Sequence, residues 1–118
     1  MVLVDTSVWV SHLRETNGKL ISLLNDGEVA CHPFIIGELA CGNLRNRSLL
    51  ISLLEALPSA KEVQNREALE FIESRTLMGR GLGYIDINLL ASAILTDLPL
   101  WTLDNNLAEA AAILNCRF

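Results

Sequence analysis

Four acidic residues in this chain stand where a carboxylate needs a reason. Asp5 closes the apolar run "VLV" and is followed by Thr6 and Ser7; Asp86 follows the glycine-rich stretch "GRGLGY" and heads "DINLLASAIL"; Asp104 follows "LPLWTL" and heads "NNLAEAAAIL". Each of these three is also a good helix cap when taken alone, because an aspartate there can accept a hydrogen bond from a free helix N–H. Glu38 is different. It lies inside "FIIGELACG", with Phe34 four residues before it, Cys41 and Gly42 three and four residues after, and no lysine or arginine at helical contact distance. A glutamate on an apolar helix face is costly unless it is paired or ligates a metal. Taken together, four clustered carboxylates would repel and raise one another's pKa. A divalent cation reverses that cost, and an oxygen-only donor set favours Mg²⁺, with Mn²⁺ as a substitute, over zinc. Such a site can activate a bound water for attack on phosphorus.

The elements that must carry these residues follow from the apolar pattern. "VLV" reads as a short buried strand, a helix starts near Ser7, and "NGKLISLLNDG" gives a second helix that stops at Gly27. "EVACH" reads as a strand, and Pro33 opens the helix "PFIIGELACGNL". "RSLLISLLEALP" is a helix terminated by Pro58, "AKEV" a short strand, and "NREALEFIESRTLMGR" a longer amphipathic helix. "DINLLASAIL" is an apolar helix, "LPLWTL" a strand, "NNLAEAAAIL" the last helix, and "CRF" the start of a final strand. Short apolar strands alternating with helices predict an α/β fold: three layers, with a mostly parallel central sheet covered on both faces. In such sheets functional groups gather beyond the carboxyl ends of the strands, where Asp5 and Asp104 fall.

A length of 118 residues predicts one domain, residues 1–118, large enough for a single core. Hydrophobic residues make up 51% of the chain, yet no apolar run approaches the ~18 residues of a membrane span. No basic segment followed by an apolar run opens the sequence, so neither a secretory leader nor a membrane partner is expected. Cys31, Cys41 and Cys116 lack metal or disulfide spacing, which predicts reduced thiols in a cytoplasmic protein. The net charge of −5 argues against a nucleic-acid partner until its location is considered. Setting the four acids aside leaves ten acidic against nine basic residues, a balance of −1, so most of the negative charge is the proposed metal site.

The segments "VLVDTSVW", "HPFIIGELACGNL", "GRGLGYIDINLLASAIL" and "LPLWTLDNNLAEAA" resemble, in order and spacing over nearly the whole chain, the PIN-domain ribonucleases, specifically the VapC-type toxins of bacterial toxin–antitoxin pairs. The resemblance implies a PIN fold and a metal-dependent endoribonuclease that hydrolyses RNA phosphodiester bonds. It carries the family's four acidic positions onto Asp5, Glu38, Asp86 and Asp104. Asp5, Asp86 and Asp104 would bind Mg²⁺ directly or through water, and Glu38 would serve as a ligand or as the base that orients the attacking water. Thr6 or Ser7 would support Asp5, and Thr102 would support Asp104. The resemblance also implies a homodimer or larger assembly with a cognate antitoxin, held in a groove that Trp9, Leu20, Leu23, Leu24, Leu50 and Leu54 would help build; core packing competes for the same leucines.

Arg14, Arg45, Arg47 and Arg80 flank the acidic segments and are candidates for holding the RNA backbone. His12 and His32 have no spaced partners and suit edge or cap roles. Other acidic-pocket chemistries fit less well. A haloacid-dehalogenase-type phosphatase needs an aspartate where Ser7 stands, and a response-regulator receiver needs paired early acids and a late lysine, whereas the lysines are Lys19 and Lys61. A metal-binding RNA- or protein-interaction module with little nuclease activity is the alternative function.

Overall fold

The computed structural model describes residues 1–118. Three short parallel strands, β1 (Val2–Val4), β2 (Val29–Ala30) and β3 (Leu100–Trp101), form a sheet in the order β2-β1-β3. Around them are α1 (Thr6–Arg14), α2 (Gly18–Asn25), α3 (Pro33–Ala40), α4 (Arg47–Glu55), α5 (Asn65–Arg75), α6 (Tyr84–Thr96) and α7 (Asn105–Ile113). Side chains alternate across a strand, so Val2 and Val4 face one side of the sheet and Leu3 the other. All three are at most 1% exposed, which means both faces of the central strand are covered. That is the three-layer α/β arrangement the continuous apolar run called for.

The sheet is extended by single bridges rather than by full strands. Cys31 pairs with Ser59 beyond β2, and Leu100 pairs with Arg117 beyond β3, both in parallel. "CRF" therefore does continue the sheet, through Arg117. "AKEV" does not form a strand: the bridge falls one residue earlier, at Ser59, and after the Ala60 N–H bonds back to Cys31 the chain leaves the edge. Helix limits also shift. α3 ends at Ala40 and α5 at Arg75, where Thr76 adopts a left-handed conformation (φ 53°) that stops the helix short of the glycine loop.

α6 is buried along Ile87–Ala93 without a break. A mostly apolar helix buried through its middle lies inside, here between the main core and a smaller cluster of Ala68, Leu77 and Ile87. Truncating Leu89 or Leu90 to alanine in this helix would cost about 2–5 kcal/mol. Trp9, Leu20 and Leu54, expected to help form a groove, are core residues instead; Leu23, Leu24 and Leu50 are partly buried against that core.

Candidate active site

The carboxyl ends of β1, β2 and β3 lie along one edge of the sheet because the strands are parallel. Asp5 leaves β1 at this edge, fixed by its N–H bond to the Trp101 carbonyl of β3 (2.9 Å). It occupies the N-cap position of α1, yet its side chain makes no cap hydrogen bond. Its Oδ2 accepts the Ser7 hydroxyl (2.7 Å) and the Thr102 hydroxyl (2.8 Å). The carboxylate is only 6% exposed and has no basic partner. Burying a charged group this way requires hydrogen-bond donors aimed at it, and here two hydroxyls supply them.

The supporting hydroxyls divide their work differently from the sequence-based expectation. Ser7 supports Asp5 as expected, and its Oγ also accepts the Leu103 N–H (3.0 Å). Thr6 does not support Asp5; its hydroxyl donates to Glu38 Oε1 (2.7 Å), joining the start of α1 to α3. Thr102 donates to Asp5 and accepts the Asp104 N–H (3.0 Å), so it ties the two strand ends together.

Asp104 is a helix cap in full. Its Oδ1 accepts the N–H groups of Asn106 (2.9 Å) and Leu107 (3.1 Å). Asp86 sits in the first turn of α6, not at its start, and its Oδ2 accepts the Gly83 N–H (3.0 Å). Burial pushes the Asp86 carboxyl above its ordinary value of 3.8; the Gly83 bond opposes this, and the nearby charges of Asp5 and Asp104 add to it. That mutual influence marks the three aspartates as neighbours. Gly81 brings the loop before α6 against α7. It adopts φ +73°, a left-handed backbone that favours glycine, and a Cβ there would push aside the Asn106 side chain, whose Nδ2 lies 2.5 Å from that position.

Glu38 is exposed rather than set on a buried apolar face, so the burial cost inferred from its sequence neighbours does not arise. Its place comes from the Thr6 bond. All four acids share one feature. Each is anchored through a single carboxylate oxygen, while Asp5 Oδ1, Glu38 Oε2, Asp86 Oδ1 and Asp104 Oδ2 accept no protein hydrogen bond. No three His, Cys, Asp or Glu side chains close into a ready metal cage.

The arginines separate into two kinds. Arg14 and Arg45 line a groove of about 460 Å³ with Glu38 at its side and Val10, Leu13, Leu39, Leu44 and Leu50 along it; neither forms an ion pair. Arg80 donates to the Thr76 carbonyl (3.1 Å) and lies with Asn106 in a smaller cleft. Arg47 donates to the carbonyls of Gly42 (3.0 Å) and Ala40, so its guanidinium closes the end of α3 instead of facing the site. His12 accepts the Asn17 N–H, and His32 caps α3 by accepting the Phe34 N–H. The Thr6–Glu38 link had no local signal, because its residues are 32 positions apart.

A parallel sheet that gathers acidic side chains at its carboxyl edge, with a glutamate on the helix beside it, is the arrangement of the PIN domain, and residues 2–113 match that family. The chain belongs to the PIN-domain family. Within it the relationship is with the VapC type: the chain is 45% identical over 113 residues to Ribonuclease VapC32 of Mycobacterium tuberculosis, in both strain CDC 1551 / Oshkosh and strain H37Rv, covering 95% of this chain and 91% of that protein. Among solved structures, PAE2754 from Pyrobaculum aerophilum superposes with a TM-score of 0.61 over 92% of this chain and 77% of that one; at 18% identity this is a likeness of fold alone.

Proposed function

We propose that Asp5, Asp86 and Asp104 hold a divalent cation, Mg²⁺ by preference and Mn²⁺ as a substitute, and that the site hydrolyses RNA phosphodiester bonds as the toxin of a toxin–antitoxin pair. The endoribonuclease class comes with membership of the VapC-type PIN proteins. The ion, the residue roles and the partners are the proposal. The observation that carries it is the set of four carboxylates, each anchored through one oxygen and each with the other oxygen left for a ligand.

The donor set suits a hard cation. The ligands are all oxygen; burial is the main reason the Asp86 pKa is raised, and the charges of Asp5 and Asp104 add a smaller push that a cation would relieve. Mg²⁺ keeps several waters and takes only one or two carboxylates directly, so the three aspartates need not all touch it. When bound, the cation would supply an activated water and neutralise charge on the phosphodiester.

The protein's own groups do the positioning. Ser7 and Thr102 fix Asp5, and the backbone at the starts of α6 and α7 fixes Asp86 and Asp104. Glu38, steadied by Thr6, would take a proton from the attacking water or orient it. Arg14 and Arg45 would contact the RNA backbone beside Glu38. The apolar wall of their groove suits the cognate antitoxin, and Leu49 and Leu53, 61% and 57% exposed on α4, suit a homodimer or larger assembly. No helix is long and apolar enough to cross a membrane, and all three cysteines are unpaired. A cytoplasmic setting would keep those thiols reduced.

The test is a cleavage-site map on total RNA with Mg²⁺, with EDTA, and with Mn²⁺ added back, run beside Asp5→Asn. Cleavage should require the metal and vanish in the variant, and Mg²⁺ should raise the thermal midpoint of the wild type but not of the variant. Full metal-dependent cleavage by Asp5→Asn would overturn the proposal. Metal-independent RNA binding without cleavage would favour the interaction-module reading.

A further inference from the structure

The chain has six aromatic residues: Trp9, Phe34, Phe71, Tyr84, Trp101 and Phe118. Five have a structural occupation. Trp9 is buried in the core. Phe71 packs against both apolar clusters, with the Arg75 guanidinium 5.7 Å from its ring centre. Trp101 and Phe118 pack on each other at 5.3 Å, and the Lys19 ammonium lies over both rings. The Tyr84 hydroxyl is bonded to Asn65. Phe34 remains. It is 37% exposed, and its aromatic neighbour is the His32 imidazole, 5.2 Å away and tilted by 60°.

A single exposed apolar side chain is normal on any surface. The position of this one is not arbitrary. Phe34 lies one helical turn before Glu38, and residues four apart share a helix face. Ile35 and Leu39 form the buried stripe of α3, so Phe34 and Glu38 form the exposed stripe next to it. Glu38 reaches Thr6, the residue after Asp5, so this stripe borders the acidic pocket. Phe34 also follows β2 closely, after Cys31, His32 and Pro33, at the same sheet edge that Asp5 leaves.

The support under Phe34 is fixed. His32 is 2% exposed, its Nδ1 accepts the Phe34 N–H (3.0 Å), and its Nε2 therefore carries the proton and donates to Ser92 Oγ (3.1 Å) on α6. An aromatic ring braced this way loses little freedom when a second ring stacks on it. An acidic pocket also gives a polyanion no electrostatic foothold of its own, so contact that does not depend on charge is useful beside it.

We propose that Phe34 is a stacking platform for a nucleobase of single-stranded RNA, adjacent to the phosphodiester presented to Asp5 and Glu38; this rests on the ribonuclease reading of that pocket. Every base has a π-face, so the platform sets affinity and register rather than base identity. Its contribution is insensitive to salt, unlike contacts made by Arg14 and Arg45.

The experiment uses a single-stranded RNA spanning a mapped cleavage site, with 2-aminopurine placed at one position at a time. Binding is read by fluorescence quenching in the cleavage-deficient Asp5→Asn protein, with and without Phe34→Ala, Phe34→Leu or Phe34→Trp. Quenching should localise to one position, disappear with alanine and leucine, and persist with tryptophan. In the otherwise intact enzyme, Phe34→Ala should lower kcat/KM about 10-fold, with Phe34→Trp near wild type. Leu69→Ala, an exposed apolar change on α5, should alter neither readout. An abasic nucleotide at the quenched position should cost the wild type what Phe34→Ala costs, and should cost that variant nothing further. Unchanged quenching in Phe34→Ala overturns the platform whatever the activity. If the wild type cleaves no RNA with any divalent metal, the same scan is run on a random-sequence single-stranded RNA, and localised, Phe34-dependent quenching there would sink the ribonuclease reading and leave the platform standing.

Discussion

The turns after β1 and β3 both end in an aspartate at the N-cap of the next helix, and they are built for different ends. Asp5 alone links β1 to α1, whereas Thr102 and Leu103 precede Asp104 between β3 and α7. At the second turn Asp104 behaves as its local sequence suggests and closes the α7 N-terminus with two backbone hydrogen bonds. At the first turn Asp5 holds the same position relative to α1 but does not cap it. Its carboxylate is drawn aside by Ser7 and by Thr102, a residue 97 positions away. The α1 N-terminus forgoes a cap there, a loss of about 1 kcal/mol on typical values. A local stabilisation surrendered at the pocket edge is what a site built for a ligand looks like.

The contrast can be broken most sharply at Asp5. Asp5→Asn keeps an acceptor for both hydroxyls and removes the charge, so RNA cleavage should fall to the level seen without metal while the thermal midpoint holds or rises. A large loss of stability would mean that Asp5 is structural after all. Asp104 should separate its two jobs. Asp104→Asn is nearly as good a cap, so it should keep stability and lose most activity; Asp104→Ala should lose activity and also about 1 kcal/mol in urea unfolding. Equal stability of the two variants would remove the cap from the account.

Thr102 joins the turns, and Thr102→Val should loosen both without touching the charge. If Asp5 ligates a metal, activity should drop about 10-fold, and stability should fall by about 1 kcal/mol because the buried carboxylate loses one of its two donors. Wild-type activity in this variant would show that the two turns are independent.

The smallest effect concerns the cap of α3. Burial lowers the His32 pKa below its ordinary 6.5, against the opposing charge of Glu62. The unfolded chain then binds a proton more readily than the folded one. Stability from this residue is fully present above pH 6.5 and is lost as pH falls from there through the lowered folded value. His32→Asn keeps an acceptor for the Phe34 N–H and cannot titrate. Urea titrations on either side of that pH should therefore show a shallower acid slope in the variant; identical slopes would clear His32.

Much of the architecture was legible because it rests on local pattern. Unbroken apolar strands, Pro33 at a helix start and the largely apolar α6 each pointed to one structure. "AKEV" misled because four residues of strand-like composition do not say whether an edge is there to pair with; the bridge formed at Ser59 instead. Of the leucines weighed between groove and core, Leu50 lines the groove beside Glu38 while Leu20 and Leu54 went to the core, since helical spacing names the apolar face of α2 and α4 but not what that face packs against. Arg47 had the charge and the neighbourhood of a phosphate contact, and the carbonyls ending α3 claimed it first.

By itself the sequence determined which residues could ligate and which elements would carry them to one sheet edge, because residue type and strand or helix period are local properties of the chain. Only the tertiary structure decided what each carboxylate does there. Whether an aspartate caps a helix or stands free depends on which distant hydroxyl reaches it first. Thr102 reaching Asp5 and Thr6 reaching Glu38 are meetings that no spacing along the chain encodes.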